Sequence, residues 1–380
     1  MSQQKKITIN DVTIIGGGAV GLSIGYYLKQ KNIKTLIIEK NNHFGGESSL
    51  RNTGHIAGGI YYKFGSLKSK LAYIGSKYLY AFCKKNNIKY KKIGQLFIAL
   101  DDESVLNLNK IYNLGKKNKV KGLKKLNSLQ VKKIEPNIIS KGAILSTSTG
   151  IFDPLGFMKK VYSLYKKKGG SYLSNTKFID SSWDKKNRLW SIRINNKKKI
   201  KSRIIINAGG LNSIDIFSKV FPKLNAPVAR NIKGAYLNYK GNLKLNHIIT
   251  PLLNPGTMTE RVDASPTIKG KLIFGPSRLL AKTAKDYSFP KGLKEKFYPR
   301  IKKYLPKILL NDLVIKKYMV GIRSSLAVEK GKIPDFLIKW ENNYSWVQLS
   351  GIESPGLTTC LSIGRYVLKM ILAKKSINFP

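Results

Sequence analysis

The sequence predicts an α/β protein whose main sheet is assembled from separate stretches of chain, joined to a second, α+β domain with a mainly antiparallel sheet. Three observations lead there. Residues 11–40, DVTIIGGGAVGLSIGYYLKQKNIKTLIIEK, read as apolar strand, glycine turn, amphipathic helix and second apolar strand. The strand-then-glycine pattern returns at KSRIIINAGGLNS (201–213) and at SWVQLSGIESPGLTTCLSIGRYVLKMI (345–371), far down the chain. Finally, 380 residues, of which 42% are hydrophobic and 10% aromatic, suffice for two buried cores.

The first element decides most. Val12 to Ile15 form a short strand, and Gly16-x-Gly18-x-x-Gly21 turns it into a helix carrying Val20, Ile24 and Leu28 at helical spacing. Gly16 makes the tight turn, Gly18 admits a pyrophosphate close to the backbone, and Gly21 lets helix and strand touch. The backbone of Gly16, Gly17, Gly18, Ala19, Val20 and Gly21 would cradle phosphate at a helix N-terminus. The second strand, Thr35 to Ile38, ends on Glu39 and Lys40, where a carboxylate accepts from a ribose hydroxyl. This is a Rossmann-like dinucleotide unit. No second such unit follows, which argues against relay from NAD(P)H and for a flavoprotein fed by a small substrate. The turns at Ala208–Gly209 and Gly351–Gly356 reinforce FAD. The N–H groups of the last helix, around Leu357 and Thr358, suit an electron-rich ring edge.

Between these elements, RNTGHIAGGIYYKFGSLKSK (51–70) is a glycine-rich turn with two tyrosines leading into a helix. That helix is expected from about Ser66 to Cys83, burying Leu67, Leu71, Ile74, Tyr78 and Phe82 beneath the flavin. LWSIRINNKKKIKSRIIIN reads as a β-meander. The expected FAD domain comprises 1–85, 146–222 and 320–380, and the substrate domain 86–145 and 223–319.

Composition narrows the partners. The two cysteines, Cys83 and Cys360, exclude a disulfide framework and lack metal-ligand spacing, so no metal is expected. No apolar run reaches the ~18 residues of a membrane span, and the N-terminus reads as that of a mature cytoplasmic protein. Net charge is +50, from 70 basic and 20 acidic residues, but the lysines are scattered in twos and threes. Compositional drift plus a solvated face accounts for that pattern. Nucleic acid is therefore not favoured as a partner, and peripheral contact with the anionic inner face of a membrane stays open.

The order GGGAVG, RNTGHIAGGIYYKFGSLKSKL, GIFDPLGFM, NAGGLNS, IKGAYL, LIFGPS, GIRSS and GIESPGLT resembles the FAD-dependent oxidoreductases of the D-amino-acid oxidase superfamily. Within it, the nearest branch is the L-2-hydroxyglutarate dehydrogenase-like proteins. The resemblance implies that Arg51, Asn52, Thr53 and Gly54 lie along a non-covalently held FAD. It places Tyr61 and Tyr62 towards the substrate, Arg323 on the substrate carboxylate and Lys233 on a second anionic group. The chain departs from the pattern at Ala57, where the family has a histidine, and less clearly at Met258. His55, Tyr61 or Glu353 would then supply the base for a hydroxy acid; a neutral amine needs none. Three readings follow: a 2-hydroxy-acid dehydrogenase passing electrons to a quinone, a carrier protein or oxygen; an amino-acid or secondary-amine oxidase; and a flavoprotein acting on an anionic macromolecule such as RNA.

Overall fold

A computed structural model describes residues 9–195, 198–252, 261–329, 332 and 334–374. The chain divides into two compact units: Met1–Leu50, Leu155–Asn231 and Ser324–Pro380 form the first, Arg51–Pro154 and Ile232–Arg323 the second. The expected boundaries differ from these most at 51–85 and 146–154, which cluster with the second unit. Local hydrogen bonding explains it: Phe152 N–H donates to Gly54 O, and His55 and Ile56 pair with Ile151 and Gly150.

In the first unit the strand Ile9–Ile15 is central. It is flanked in parallel by Thr35–Ile38 and Lys199–Asn207, with Ile14 opposite both Ile37 and Ile206. Lys199–Asn207 changes partners along its length. Its first half pairs antiparallel with Leu189–Ile194, next in the meander, and its last residues pair in parallel with Trp346–Ser350. These strands are β-branched and buried on both faces, as a covered parallel sheet requires. One face packs Ile15, Leu36, Ile38 and Ile205 with Trp190, Phe217, Phe221 and Trp346. The helices Ala19–Lys29 and Gly356–Leu372 pack on each other, so closely that a Cβ on Gly364 would stand 2.7 Å from Ser23 O. Leu22, Ile24 and Leu28 of the first helix are fully buried, each worth about 1.5–3 kcal/mol.

The described residues of the second unit carry a nine-stranded sheet. Along it run Ala229–Tyr239, Leu272–Gly275, Asp263–Pro266, Ile248–Pro251, Gln95–Ala99 and Gly142–Ser146, with Leu313–Leu326 also against Ala229–Tyr239. Ile248–Pro251 and Gln95–Ala99 are parallel, whereas the pairs on either side are antiparallel. Alternation along Gln95–Ala99 sorts the two faces. Leu96 and Ile98 meet Phe297, Ile301 and Tyr304, while Phe97 and Ala99 meet Leu108 and Ile60.

The helix after the tyrosines spans Leu67–Lys85, and the Oγ of Ser66 caps it by accepting from Ser69 N. Its buried face runs through Leu71, Ala72, Gly75, Ser76, Leu79, Phe82 and Cys83, leaving Ile74 40% exposed. The apolar stripe expected through Ile74 is thus rotated towards small residues, which permit closer packing. This helix belongs to the second unit, not to the dinucleotide unit.

Candidate active site

The first unit contains a nucleotide cradle. Gly16 has φ +105°, and a Cβ there would lie 2.5 Å from Ala208 O; one on Gly21 would lie 2.0 Å from Gly16 O. Gly16 N–H donates to Ile38 O and Ala208 N–H to Ile15 O. The turns at 16–21 and 208–209 therefore meet at the carboxyl ends of parallel strands, where such sheets open a crevice. The helix starting at Ala19 has no side-chain cap from Gly18, although Ala19 N–H donates to Ser49 Oγ at 3.0 Å. Gly356–Leu372 likewise begins at Pro355 without a side-chain cap. Both N-termini carry partial positive charge and N–H groups without intrahelical acceptors.

Glu39 is buried, and its carboxylate is oriented by two backbone donors. Gly17 N–H reaches Oε2 at 2.7 Å and Asn41 N–H reaches Oε1 at 2.8 Å. Two acceptor sites remain for hydroxyl donors. Beside it, the buried hydroxyl of Tyr172 has no hydrogen-bond partner among the described residues. Burial, and then the Glu39 charge, push that phenol upward. Lys40 turns elsewhere, to Glu47 at 2.8 Å and to Asn212 Oδ1 at 2.5 Å. Under the cradle, Asn207 donates to Ser213 O and Gln348 Oε1, while Gln348 donates to Ser350 Oγ. This buried network ties the ends of two strands together.

The second unit contains a cationic cluster. His55, on the strand His55–Ile56, is half-buried; burial first, then Arg261, lower its pKa to about 4. It is neutral at pH 7. Tyr61 is 37% exposed, its ring against Tyr62 at 5.1 Å and Phe97 at 6.0 Å. The Cζ of Arg261 sits 5.4 Å from the Tyr61 ring centroid, and its Nε is 3.0 Å from Asp263 Oδ1. Asp263 is buried, and burial raises its carboxyl pKa against the pull of Arg261, Thr250 and Arg323. Arg323 lies against Gly234, where a Cβ would come 3.1 Å from its Nη2, and it hydrogen-bonds the buried Tyr236. Arg261 thus pairs with a buried carboxylate whose charged form Arg323 also favours through space.

The fold, the cradle and the motif order define a family. Residues 11–370 match the family described as "DAO: FAD dependent oxidoreductase". The chain belongs to it. As an FAD-dependent oxidoreductase it is 27% identical to the mitochondrial L-2-hydroxyglutarate dehydrogenase of Arabidopsis thaliana, over 95% of this chain and 83% of that one. It is 29% identical to the glycerol 3-phosphate dehydrogenase of Caloramator mitchellensis, over 96% and 75%. In fold it is similar to the L-alpha-glycerophosphate oxidase of Mycoplasma pneumoniae with FAD bound. There the TM-score is 0.85 at 22% identity, covering 96% of this chain and 95% of that one. The residues present suit FAD: glycines where a Cβ would fill the cradle, an oriented Glu39, and an unpartnered phenol beside it.

For this flavoenzyme the structure sorts the sequence candidates. Gly16 to Gly21, Glu39, Ala208, Gly209, Gly351, Gly356, Leu357 and Thr358 lie in the first unit; Arg51 to Gly54, His55, Tyr61, Tyr62, Lys233 and Arg323 lie in the second. Arg51 stacks 4.2 Å from the ring centroid of Tyr287 and donates to Val320 O, while Asn52 Oδ1 accepts from Gly54 N–H. Tyr62 is buried and backs Tyr61. Lys233 is committed to an internal ion pair with Asp286 at 2.9 Å and a hydrogen bond to Ser288. Ser288 and Lys233 hold the Asp286 carboxyl well below the usual range. Glu353 belongs to the first unit, where its backbone closes the turn by donating to Gly351 O and accepting from Gly356 N–H. Met258 lies outside the described residues. Arg261 and Asp263 escaped the sequence reading altogether. The signal available was an arginine and an aspartate two apart at the start of the strand Asp263–Pro266.

Proposed function

We propose that the chain oxidises a small 2-hydroxy acid of the L-2-hydroxyglutarate kind and passes the electrons to a quinone, a carrier protein or oxygen. The observation that carries this reading is the pairing of a neutral histidine with a double-arginine cluster in one unit. Arg323 pairs with the carboxylate next to the reacting carbon, in the bidentate geometry that guanidinium favours. His55 accepts the hydroxyl proton as the C–H bond is lost, which its uncharged state allows. Tyr61 floors the site. FAD would supply the two-electron acceptor, and the residues that would hold it, without a covalent link, are the backbone of Gly16 to Gly21 and the oriented carboxylate of Glu39. The curated relatives named L-2-hydroxyglutarate dehydrogenase, at 27% and 28% identity across nearly the whole chain, support the choice of substrate.

A second reading rests on the low basicity of His55 together with Ala57. Removing hydride from a neutral amine calls for no base, so an amino-acid or secondary-amine substrate would tolerate both. Anaerobic titration of the FAD-loaded protein decides. Bleaching of the flavin absorbance by L-2-hydroxyglutarate is the expected result. Bleaching by amino acids or N-methylated amines alone would replace the first reading with the second.

A further inference from the structure

We propose that Arg261 determines substrate specificity by binding a second anionic group, remote from the reacting carbon, and that Asp263 is the positioning residue that aims it. The enzyme would then select dianions, a hydroxy-dicarboxylate or a hydroxyalkyl phosphate, over the corresponding monoanions. This deepens the functional reading above and rests on it only for which bond is oxidised.

Four features of the cluster point there. The Arg261 side chain keeps one-third exposure although its Nε lies 3.0 Å from Asp263 Oδ1 and its guanidinium also hydrogen-bonds Tyr61, so it is held in place without being sealed off. Its Cζ lies 5.4 Å from the ring centroid of Tyr61, the partly exposed tyrosine of the cluster. Asp263 is itself held from behind. Thr250 hydrogen-bonds it, and Gln95 Nε2 donates to Thr250 Oγ1 at 2.7 Å. Lastly, the other basic candidate, Lys233, is neutralised by Asp286 at 2.9 Å with both side chains about one-tenth exposed, so it offers no spare charge. Asp263 pairs with Arg261, while Arg323 acts on that carboxylate only through space, so the two guanidinium charges leave room for more than the single group that Arg323 would take. Charge alone does not choose between a carboxylate and a phosphate, because a guanidinium fork fits both.

The test uses the FAD-loaded full chain. Binding of glutarate and of butyrate, neither of which has a hydroxyl to oxidise, is read from the perturbation of the flavin spectrum. Turnover is measured with L-2-hydroxyglutarate, L-glycerol 3-phosphate and the monoanion L-2-hydroxybutyrate. In the wild type, glutarate should bind at least tenfold tighter than butyrate. Arg261→Gln should erase most of that ratio, and Arg261→Lys, which keeps the charge without the fork, should restore part of it. Asp263→Asn should raise KM for the dianion several-fold with a smaller change in kcat, the split expected of a positioning role. The better of the two dianionic substrates identifies the distal group as carboxylate or phosphate.

A glutarate-to-butyrate ratio unchanged in folded, FAD-containing Arg261→Gln and Arg261→Lys would overturn the inference. Failure of every hydroxy acid to reduce the flavin, with the glutarate ratio still dependent on Arg261, would sink the 2-hydroxy-acid reading and leave this one standing.

Discussion

At the scale of single residues, His55 makes the sharpest claims. With its pKa lowered to about 4 by burial and by Arg261, kcat/KM for a hydroxy acid should hold level down to about pH 5 and fall near pH 4. An unperturbed histidine would lose its acceptor form near ~6.5. His55→Gln should lower kcat about 100-fold or more and remove that acid limb. The same group acts on stability. Its folded-state pKa is below the unfolded value, so the unfolded chain binds the extra proton as pH falls from about 6.5 towards 4, and stability drops in that window. Thermal melts of wild type and His55→Gln should therefore diverge as pH is lowered from 7 to 5, the wild type losing more. Glu135 offers a separate test away from the site. Its buried Oε1 accepts from Asn246 N–H and His247 N–H, both at 2.7 Å, and lies 2.8 Å from His247 Nδ1. Glu135→Ala should cost about 3 kcal/mol in urea unfolding, and Glu135→Gln clearly less. Residues of this kind were the hardest to read from sequence. Lys233 looked available because Asp286 is 53 positions away. Arg261 had no motif around it: Asp263 is a near neighbour in sequence, but Tyr61 meets it only through the fold.

At the scale of elements, the glycine turn entering the first helix leaves no room for a side chain. A Cβ on Gly21 would be 2.0 Å from Gly16 O, so Gly21→Ala should destabilise the protein by about 1–3 kcal/mol and yield protein that no longer retains FAD on gel filtration. Here sequence reading was strong, because the spacing of three glycines is itself the mechanical requirement. The segment with the tyrosines depends instead on a distant brace. Asn118, the residue closing the helix Asp102–Lys117, donates from Nδ2 to Gly59 O at 3.1 Å and Tyr62 O at 2.7 Å. Asn118→Ala should cost about 1–2 kcal/mol and raise KM by loosening the floor under the substrate, with FAD content unchanged. Nothing in RNTGHIAGGIYY announces that partner, which is 56 residues beyond Tyr62. The same limit explains why the helix Leu67–Lys85 was legible as a helix while its buried face was not. Apolar spacing gave the period, but Ala72, Gly75 and Ser76 gave the close contact.

At the scale of the whole molecule, the net charge of +50 should show in kinetics before it shows in partners. An anionic substrate approaching such a field is steered, so kcat/KM should fall several-fold between ~20 mM and ~500 mM salt, with a much smaller change in kcat. The two units were legible as kinds of domain, through the nucleotide motif and the later strands. Their borders were not, since they depend on which segments pair. The chain passes between units after Leu50, Pro154, Asn231 and Arg323, and this interleaving bears on how the protein is made. The parallel sheet of the first unit takes Trp346–Ser350 as one of its strands, and the helix Gly356–Leu372 packs on Ala19–Lys29. A nascent chain on the ribosome must therefore carry its first helix without its helical partner until some three hundred further residues have been synthesised, and the edge of Lys199–Asn207 unpaired until Trp346–Ser350 emerges. During that interval it is a client for chaperones and a target for proteases. A premature stop anywhere before residue 346 would leave no half-enzyme, only material for degradation.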